Sequence, residues 1–547
     1  MKRKILIMGG GGQLGLSIQS VAYKYTDLRL KYTNSQELDI TDKEKLEQYF
    51  KHHDFEYCVN CAAYTAVDQA ETEIELAQRI NSLGPSFLAE LCAKYNVILV
   101  HISTDFVFDG NSERPYKETD GTNPLNSYGQ SKLDGEKAIT AILKNHFIIR
   151  TSWLYSEFNQ NFFKTMMKHG SVKEELSVVN DQFGSPTYAP DLAHVILKII
   201  QSKSKTFGLY HFSNKGGISW FQFAKSIFEY SGLRTKVNPI SISDYQTRAK
   251  RPKYSVMDTS KIEKAFNLKT PEYKSSLRKA VERLQDLNYQ IAIKASIKAG
   301  KTIMDVYDGE FGVELKADDS PLTLADRNAN EVINAFLKTT PFPIISEENK
   351  QIEYTVRKKW SCYWLVDPLD GTKEFVKRNG EFTVNIALIK YGKPQFGVIY
   401  VPVTKTFYVA DVSENRAYKH QLITHQMPSN LFEENSRLTR KSNESDRIRV
   451  VGSRSHMNEE TTAFIRDLEA NNHNVEIVSK GSSLKFCIIA EGLADVYPRF
   501  GPTMEWDTGA GQALCEAMGA SVISSETNKP LGYNKENLLN PYFKVSF

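Results

Sequence analysis

Apolar runs of strand length alternate with amphipathic stretches of helical period through roughly the first 200 residues of the chain. The helix candidates are EIELAQRINSLGPSFLAELCAKY and GQSKLDGEKAITAIL, and the strand candidates are KILIMGG, YCVNCAAY, VILVHISTDFVF and FIIRTSWLY. Strands that alternate with helices usually pair in parallel, because each crossover helix returns the chain to the same end of the sheet. The pattern therefore predicts an α/β fold that begins with a Rossmann-type doubly wound parallel sheet.

The pattern changes character near residue 287. One predicted helix, YKSSLRKAVERLQDL, ends there, and a second, NYQIAIKASIKAGKTIMDVYDG, follows without a linker rich in Pro, Gly or Ser. We place the boundary at this join, which gives domains 1–287 and 288–547. The second domain mixes helices with the strand candidates YWLVDP, FTVNIALI, PQFGVIYVPV and TFYVA, and this mixture predicts an α+β or layered α/β arrangement.

Composition limits the class of protein. A chain of 547 residues is too long for one core, while 41% apolar and 24% charged residues are typical of globular domains. The net charge of +4 argues against a dedicated nucleic-acid binder. The four-residue apolar run before the first glycines is too short for a signal peptide, and no stretch approaches a membrane span. We expect a cytoplasmic protein with neither a nucleic-acid nor a membrane partner.

The six cysteines are sparse and lie mostly in apolar runs. Cys58 and Cys61 form a C-x-x-C pair, which could be redox-active or bind a metal, but no second pair exists to complete a zinc site. We predict that they are core cysteines.

Glycines recur as G-x-x-G-x-x-G at Gly9, Gly12 and Gly15, after the first strand and at the start of a helix. Glycine lets the backbone approach a pyrophosphate, and a helix N-terminus supplies N–H groups and a favourable dipole. Such turns also arise for steric reasons alone, but the strand before and the helix after this one favour a dinucleotide site.

Tyr128 precedes Lys132 by four residues, so both side chains share one face of a predicted helix. The lysine is expected to lower the pKa of the tyrosine, and the hydroxyl of Thr104 can bond the same substrate oxygen. A solvated helical face is the alternative. The glycine motif upstream favours a catalytic pair.

Longer motifs identify a family for this half. VNCAAYTAVDQAE, HISTDFVFDG, NPLNSYGQSKLDGE, RTSWLYS, DQFGSPTYAPDLA and RPKYSVMDTSKI resemble dTDP-4-dehydrorhamnose reductase, an extended short-chain dehydrogenase/reductase, from residue 1 to about 285. The resemblance implies reduction of dTDP-4-dehydro-L-rhamnose to dTDP-L-rhamnose, with hydride from a nicotinamide and a proton from Tyr128, supported by Lys132 and Thr104. It also implies substrate contacts from Thr104 and Trp153, and cofactor contacts from Gly9, Gly12, Gln13, Leu14, Gly15, Asp39, Ala62, Ala63, Tyr64, Tyr128 and Lys132.

The cofactor is expected to be NADPH, with NADH left open. The end of the second strand offers Lys31, Asn34 and Ser35 but no carboxylate for a ribose 2′-OH. One relative of this family, the regulatory subunit of methionine adenosyltransferase, keeps the fold only as a binding module. The retention of Thr104, Tyr128 and Lys132 argues against that role here.

Acidic clusters mark the second half: KADDSPLTLAD, ISEEN, DPLDGT and FGPTMEWDTGAG. The proline between Asp367 and Asp370 fixes a bend that can direct both carboxylates and the Leu369 carbonyl toward one point. Oxygen ligands of this kind suit Mg²⁺, while Gly371 and Thr372 offer groups for a phosphate and a water. Acidic surface turns and a calcium site are the alternatives, but four clusters disfavour the first and the spacing is not that of an EF-hand.

This half resembles the 3′(2′),5′-bisphosphate nucleotidase branch of the inositol monophosphatase superfamily, from about residue 288 onward. The motifs are KADDSPLTLAD, SEEN, YWLVDPLDGTKEFVKRNGEFTVNIALI, GSRSHM, KGSSLKFCIIAEGLADVYPRFGPTMEWDTGAG and NPYFKVSF. The resemblance implies a layered αβαβα sugar-phosphatase fold and removal of the 3′-phosphate of adenosine 3′,5′-bisphosphate.

The same resemblance assigns the site residues of this half. Mg²⁺ would be held by Glu347, Asp367, the Leu369 carbonyl, Asp370 and Asp507. Asp318 and Thr372 would position and deprotonate the attacking water. Glu348 is either an outer base or a solvated neighbour. The substrate would face Gly371, Thr372, Ser453, His456, Ser482, Lys485 and Arg499, of which the last five could equally be surface or capping residues.

A bifunctional enzyme is the leading hypothesis, with a dTDP-sugar nucleotide and adenosine bisphosphate as its substrates. In one alternative only one half is catalytic and the other is a docking or nucleotide-binding module. In another, the phosphatase acts on inositol phosphate or another sugar phosphate. Neither product is the other's substrate, so channelling is not expected. Co-expression and a shared homo-oligomer both stay open as reasons for the fusion.

Overall fold

The structure is a computed structural model that describes residues 2–309, 321–428, 430–440, 447–452, 458–471 and 474–547. The chain divides into two compact units, Met1–Met167 with Glu175–Leu284, and Lys168–Glu174 with Gln285–Phe547. This division falls close to the domain boundary at 287/288, which stays a prediction. Among the described residues, no helix combines the length and apolarity that a bilayer crossing requires.

The helices and strands of the first unit follow the predicted alternation. Its strands are β1 (Arg3–Met8), β2 (Leu28–Thr33), β3 (Tyr57–Asn60), β4 (Ile98–Thr104), β5 (His146–Thr151), β6 (Leu154–Tyr155), β7 (Glu175–Val179), β8 (Phe183–Gly184), β9 (Thr187–Tyr188), β10 (Gly208–His211), β11 (Ile218–Ser219) and β12 (Lys236–Ile240). The α-helices that begin in it are α1 (Gln13–Val21), α2 (Lys43–Lys51), α3 (Ile74–Gln78), α4 (Gly84–Tyr95), α5 (Ser127–Ile142), α6 (Phe162–Val172), α7 (Ala189–Ser202), α8 (Trp220–Ser231), α9 (Ser260–Phe266) and α10 (Tyr273–Tyr307). Short 3₁₀ helices span Ala22–Lys24, Gln69–Glu71, Asp105–Val107 and Ile242–Asp244, and a π-helical turn spans Arg79–Leu83.

The prediction of two helices around residue 287 is wrong. A single helix, α10, runs from Tyr273 to Tyr307. The residues on either side of the junction between Leu287 and Asn288 include no Pro or Gly, so no local helix-breaking residue ends the first helix there.

The main sheet of the first unit is parallel, in the order β10-β5-β4-β3-β1-β2. Alternate residues of β1 point to opposite faces, as the two-residue period of a strand requires. Ile5 and Ile7 pack in one core with α1 and α7, whereas Leu6 and Met8 pack in a second core with α2 and α4. Both faces are therefore covered by helices, which confirms the doubly wound fold.

The strand order reverses between β1 and β3. The chain runs from β1 outward to β2 and returns on the other side to β3, which opens a crevice at the carboxyl ends of β1 and β3. Residues 9–12 follow β1, residues 61–64 follow β3, and Thr104 ends the next strand, β4. The topology thus brings the predicted cofactor and catalytic residues to one edge of the sheet.

The second unit contains further helices and strands. Its strands are β13 (Ile344–Ser346), β14 (Cys362–Asp370), β15 (Thr383–Lys390), β16 (Lys393–Val401), β17 (Thr406–Asp411), β18 (Arg416–Gln421), β19 (Arg447–Gly452), β20 (Asn474–Ser479), β21 (Val496–Arg499), β22 (Ser521–Ser524) and β23 (Phe543–Ser546). Its helices are α11 (Pro321–Leu337), α12 (Tyr354–Arg357), α13 (Thr372–Val376), α14 (Glu459–Ala470), α15 (Leu484–Ala490) and α16 (Glu505–Ala517), with a 3₁₀ turn at Glu434–Ser436.

Two mixed sheets, with the orders β13-β14-β15-β16-β17-β18 and β20-β19-β21-β23-β22, enclose α15 and α16. Leu514 of α16 packs in a core with the first sheet, and Cys515, the next residue, packs in a core with the second. On the outer face of the first sheet, the Tyr289 ring of α10 stacks on Phe396 of β16, with 4.1 Å between centroids. Helix α14 contacts β20 of the second sheet. These layers confirm the predicted αβαβα order.

Candidate active sites

The glycine loop after β1 is tightly packed. Gly9 has φ +73°, and a Cβ on it would lie 2.8 Å from the backbone N of Ala62. A Cβ on Gly15 would lie 2.5 Å from the Gly9 carbonyl oxygen, whereas a Cβ on Gly11 would contact nothing within 4 Å. Gly12 caps α1 without a side chain, so the N–H groups of the first turn remain for an anion. Steric need explains Gly9 and Gly15, and the open side of the loop suits a pyrophosphate.

A cavity of about 610 Å³ lies at the carboxyl edge of the parallel sheet. Its lining includes the predicted residues Gly12, Gln13, Leu14, Ala63, Thr104, Tyr128, Lys132 and Trp153. This volume and lining fit the nicotinamide end of a dinucleotide beside a small substrate.

Other predicted cofactor residues have partners of their own. The backbone N of Ala62 donates to Asn60 Oδ1 at 3.1 Å. The hydroxyl of Tyr64 donates to Glu73 Oε2 at 2.9 Å. The exposed carboxylate of Asp39 accepts a hydrogen bond of 2.8 Å from the backbone N of Thr41. Ala62 and Tyr64 follow β3 at the crevice, whereas Asp39 lies in the loop beyond β2, and the role of all three as cofactor contacts stays a prediction.

Tyr128 lies in the first turn of α5, whose N-cap Asn126 accepts a hydrogen bond from the backbone N of Gly129. The expected lowering of the Tyr128 pKa is wrong. Burial raises the pKa of its phenol to about 12, against a lowering contribution from the Thr104 hydroxyl and with a further rise from the Asp105 carboxylate. Tyr128 therefore keeps its proton at neutral pH, as a proton donor must.

Lys132 is buried one turn further along α5. Its Nζ donates to the Ile102 carbonyl oxygen at 2.6 Å and lies 3.4 Å from Nε2 of His101. Burial lowers the pKa of Lys132 to about 8, although the Glu136 carboxylate opposes this. His101 Nδ1 in turn lies 3.0 Å from Asn60 Nδ2. Sequence reasoning missed His101 and Asn60, and the signal was a polar residue within each of two apolar strands.

Trp153 has an unusual backbone conformation, with φ +46°. Its ring stacks on Trp220, which sequence reasoning missed, with 3.5 Å between centroids. A Cβ at Gly184 would lie 2.6 Å from the Trp153 ring, so the backbone of Gly184 also packs closely against it. Both tryptophans line the 610 Å³ cavity. Arg251, paired with Asp68 at 2.7 Å, also lines it.

Three predicted metal ligands meet in the second unit. Strand β13 pairs in parallel with β14, which brings Glu347, just after β13, alongside Asp367. Asp507 lies in the first turn of α16. Carboxylate oxygens of these three residues lie within 4.8 Å of one another. Asp367 is 1% exposed, whereas Glu347 lies on an exposed loop.

The electrostatics of this cluster favour a cation. Burial raises the pKa of Asp367 well above its usual range, and the neighbouring carboxylates of Asp370 and Asp507 raise it further. Burial and Asp370 raise the pKa of Asp507 to about 7, while the Met504 N–H lowers it. Partial desolvation of its carboxyl and the neighbouring Glu348 carboxylate raise the pKa of Glu347. An all-oxygen set of crowded carboxylates fits a hard divalent cation such as Mg²⁺.

The remaining residues of DPLDGT surround the cluster. A β-bulge separates Asp367 from Asp370, and within it the Leu369 backbone N donates to Asp367 Oδ1 at 3.1 Å. Oδ2 of Asp370 accepts hydrogen bonds from Ser482 Oγ at 2.5 Å and the Ser483 backbone N at 2.7 Å. One oxygen of Asp370 is therefore occupied by the loop before α15.

A cavity of about 330 Å³ adjoins these carboxylates. Its lining includes the predicted residues Asp370, Gly371, Thr372, Ser482, Lys485, Arg499 and Asp507. Among the described residues no hydrogen-bond partner reaches the buried Nε of Arg499, and its Nη2 donates to the Pro502 carbonyl oxygen at 3.0 Å. Lys485 Nζ donates to the Ser482 carbonyl oxygen at 3.0 Å. The cavity is thus lined by both cationic and acidic side chains, a combination that suits a phosphate together with a divalent cation.

Three predicted residues, Asp318, Ser453 and His456, lie outside the described residues. Two others were missed. Asp326, at the end of KADDSPLTLAD, has its pKa raised to about 7 by burial and by Glu348 and Glu347. Ser483 Oγ lies 2.7 Å from Asp370 Oδ2. The acidic motif contained the signal for Asp326, whereas nothing in the sequence set Ser483 apart from Ser482.

Fold and geometry define a chain of two α/β units, one with a dinucleotide-type cavity at a topological switch point and one with an acidic cluster suited to a divalent cation. A model of the RmlD substrate binding domain matches residues 3–286, and a model of the inositol monophosphatase family matches residues 285–542. The chain belongs to both families, each through one half.

Individual relatives agree with these matches. The dTDP-4-dehydrorhamnose reductase of Aggregatibacter actinomycetemcomitans is 38% identical over 288 residues, covering 50% of this chain and 97% of the relative. The 3′(2′),5′-bisphosphate nucleotidase CysQ of Salmonella typhimurium is 47% identical over 253 residues, covering 45% of this chain and 95% of the relative. The solved dTDP-4-dehydrorhamnose reductase of Bacillus anthracis, in complex with NADP, has a TM-score of 0.50 and 38% identity over 52% of this chain and 100% of that chain. Both halves are therefore homologous to enzymes.

Proposed function

We propose that the chain is a bifunctional enzyme. One half reduces dTDP-4-dehydro-L-rhamnose to dTDP-L-rhamnose with NADPH, and the other hydrolyses adenosine 3′,5′-bisphosphate to AMP and phosphate with Mg²⁺. The observation that carries the proposal is that, in each half, residues of the expected chemistry gather at one cavity within a unit of the matching family. Its proposed partners are these small molecules in the cytoplasm, without nucleic acid or membrane.

In the reductase half, Tyr128 gives its proton to the keto oxygen, since its raised pKa keeps the phenol protonated at neutral pH. Thr104, at the end of β4, bonds the same oxygen and orients it toward Tyr128. Bound NADPH supplies the hydride. Lys132, which lines the same cavity as Tyr128, would contact the bound cofactor, and its ammonium would offset the negative charge left on the phenolate.

The preference for NADPH stays a proposal. The carboxylate of Glu37 accepts a hydrogen bond of 3.1 Å from the backbone N of Asn34, so an acidic group does lie beyond the end of β2. NADH is therefore kept as the second candidate.

In the phosphatase half, Glu347, Asp367, Asp507, Asp370 and the Leu369 carbonyl would hold Mg²⁺. When bound there, Mg²⁺ would supply a lowered pKa for a water nucleophile and positive charge for the phosphate and its leaving oxygen. Thr372 and Asp318 would position that water. Arg499 and Lys485, which line the 330 Å³ cavity, would attract and orient the substrate anion.

Two assays on the full chain and two variants test the proposal. Asp370→Asn should abolish phosphate release from adenosine 3′,5′-bisphosphate and leave NADPH oxidation with the keto-sugar nucleotide intact. Tyr128→Phe should do the reverse, so each variant serves as the control for the other. A wild type with only one activity would show that one half is a binding module. Equal or faster release from inositol phosphate would assign the phosphatase to that substrate class instead.

A further inference from the structure

Three carboxamides form a closed hydrogen-bonded ring beside the acidic cluster. Asn330 and Asn334 lie one turn apart on α11, and Asn349 follows β13. Asn330 Nδ2 donates to Asn349 Oδ1 at 3.0 Å, and Asn349 Nδ2 donates to Asn334 Oδ1 at 3.2 Å. Asn334 Nδ2 donates to Asn330 Oδ1 at 2.9 Å. We call Asn330, Asn334 and Asn349 the carboxamide ring.

The ring fastens both ends of the short segment that carries Glu347. Ser346, on one side of Glu347, donates through Oγ to Asn330 Oδ1 at 2.8 Å. Asn349, two residues beyond it, is a member of the ring. The backbone N of Asn349 also donates to the Ser346 carbonyl oxygen at 3.2 Å. The segment 346–349 is therefore tied to α11 at its first and last residues.

Glu347 needs such an attachment. Its carboxylate lies within 4.8 Å of those of Asp367 and Asp507, and its loop is exposed, so repulsion opposes this close approach whenever the three groups are ionised. Carboxamides can resist that repulsion, because they bond in two directions and add no charge of their own. Asn330 and Asn334 are 8% and 9% exposed and Asn349 is half-buried, so the bonds of the ring are partly shielded from competition with water.

We propose that the carboxamide ring positions Glu347 for the metal and thereby sets the affinity of the site for Mg²⁺. The inference rests on the proposed phosphatase function. The ring residues act through Glu347 and are positioning residues, so their loss should weaken metal binding more than it slows turnover at saturating metal.

The test measures Mg²⁺ binding to the full chain by titration calorimetry, without nucleotide. Asn334→Ala and Asn349→Ala should each raise the Kd for Mg²⁺ about 10-fold, within the range found when outer-shell partners of metal ligands are removed. The double variant should lose much less than the product of the two single effects, because either change opens the same ring. Phosphate release at saturating Mg²⁺ should stay within a few-fold of wild type.

Thr340→Val is the matched control. It removes a buried hydrogen bond of 2.8 Å from Trp364 Nε1 in the same unit without touching segment 346–349. It should lower the thermal midpoint and leave the Kd for Mg²⁺ unchanged. The ring is refuted if both Asn variants bind Mg²⁺ as wild type does, or if Thr340→Val weakens binding as much as they do. A wild type that binds no Mg²⁺ would instead refute the proposed phosphatase, and the ring with it.

Discussion

Replacing Asp507 by Asn removes one charge from three carboxylates whose oxygens lie within 4.8 Å of one another. Without a metal, this change should stabilise the protein at alkaline pH. The same change should remove much of the stabilisation that Mg²⁺ provides. Opposite signs in the two conditions distinguish a metal site from a structural carboxylate, whose loss would destabilise the protein in both.

The size of the effect follows from the geometry. At an effective dielectric constant of about 20, two unit charges 4.8 Å apart repel by about 3.5 kcal/mol. The rise of the Asp507 pKa from 3.8 to about 7 lowers the free energy of unfolding by about 4 kcal/mol at a pH where the carboxyl is ionised in both the folded and the unfolded state. Solvent around the exposed Glu347 screens part of the repulsion, so we expect Asp507→Asn to raise the free energy of unfolding by about 2–4 kcal/mol. For a unit of this size that is about 4–15 °C in the thermal midpoint.

The pH dependence fixes the sign independently. A carboxylate whose pKa is raised in the folded state destabilises that state as pH rises above the unfolded pKa, and the full penalty is present above the folded pKa. For Asp507 the penalty grows from about pH 4 and is complete above pH 7. The advantage of Asp507→Asn in EDTA should therefore be large at pH 8.5 and less than half as large at pH 5.

Thermal unfolding of the full chain, in EDTA and in excess Mg²⁺ at pH 8.5, is the assay. Asp467→Asn, an exposed change on α14, is the control and should match wild type in both conditions. An Asp507→Asn midpoint at or below wild type in EDTA would refute the repulsion. Equal Mg²⁺ stabilisation of variant and wild type would show that Asp507 is not a ligand.

Four further predictions concern protons and backbone packing. The affinity of the wild type for Mg²⁺ should rise from pH 6 to pH 8, because protons compete with the metal for Asp507. Calorimetry in two buffers should detect the protons that binding releases, and a pH-independent affinity would contradict the prediction. Reductase kcat/KM should fall as pH rises through about 8, where Lys132 loses its charge. The difference in 295 nm absorbance between wild type and Tyr128→Phe should not grow up to pH 10, because Tyr128 keeps its proton over that range. Gly15→Ala should weaken NADPH binding more than 10-fold in a fluorescence titration, because the new Cβ would meet the backbone of the glycine loop. Gly11→Ala should leave thermal unfolding unchanged, because its Cβ would meet nothing within 4 Å.

Spacing along the chain was sufficient to predict the doubly wound sheet and the residues at its edge. The glycines follow β1 and Thr104 ends β4, and the carboxyl ends of these strands lie at one edge of the sheet, while Tyr128 lies in the first turn of α5. The ligand set came from the family resemblance of the acidic motifs, and the structure brings three of its members, Glu347, Asp367 and Asp507, together.

Burial and long-range packing were not available from spacing. The pKa of Tyr128 rises because its ring is desolvated, which the Tyr–Lys spacing does not reveal. Ser483 bonds Asp370 across 113 residues, and Asn334 bonds Asn349 from a different element. A single helix replaced two at residue 287 because no residue there ends it, so a domain boundary need not coincide with a helix end.

The most direct test of two active sites in one chain is a single reaction with one preparation of wild-type protein. The mixture contains Mg²⁺, NADPH, dTDP-4-dehydro-L-rhamnose and adenosine 3′,5′-bisphosphate, and ³¹P NMR follows both nucleotides. The account predicts dTDP-L-rhamnose and AMP with phosphate, each formed at the rate seen with its substrate alone. Formation of only one product pair by protein that binds both NADPH and Mg²⁺ would contradict it.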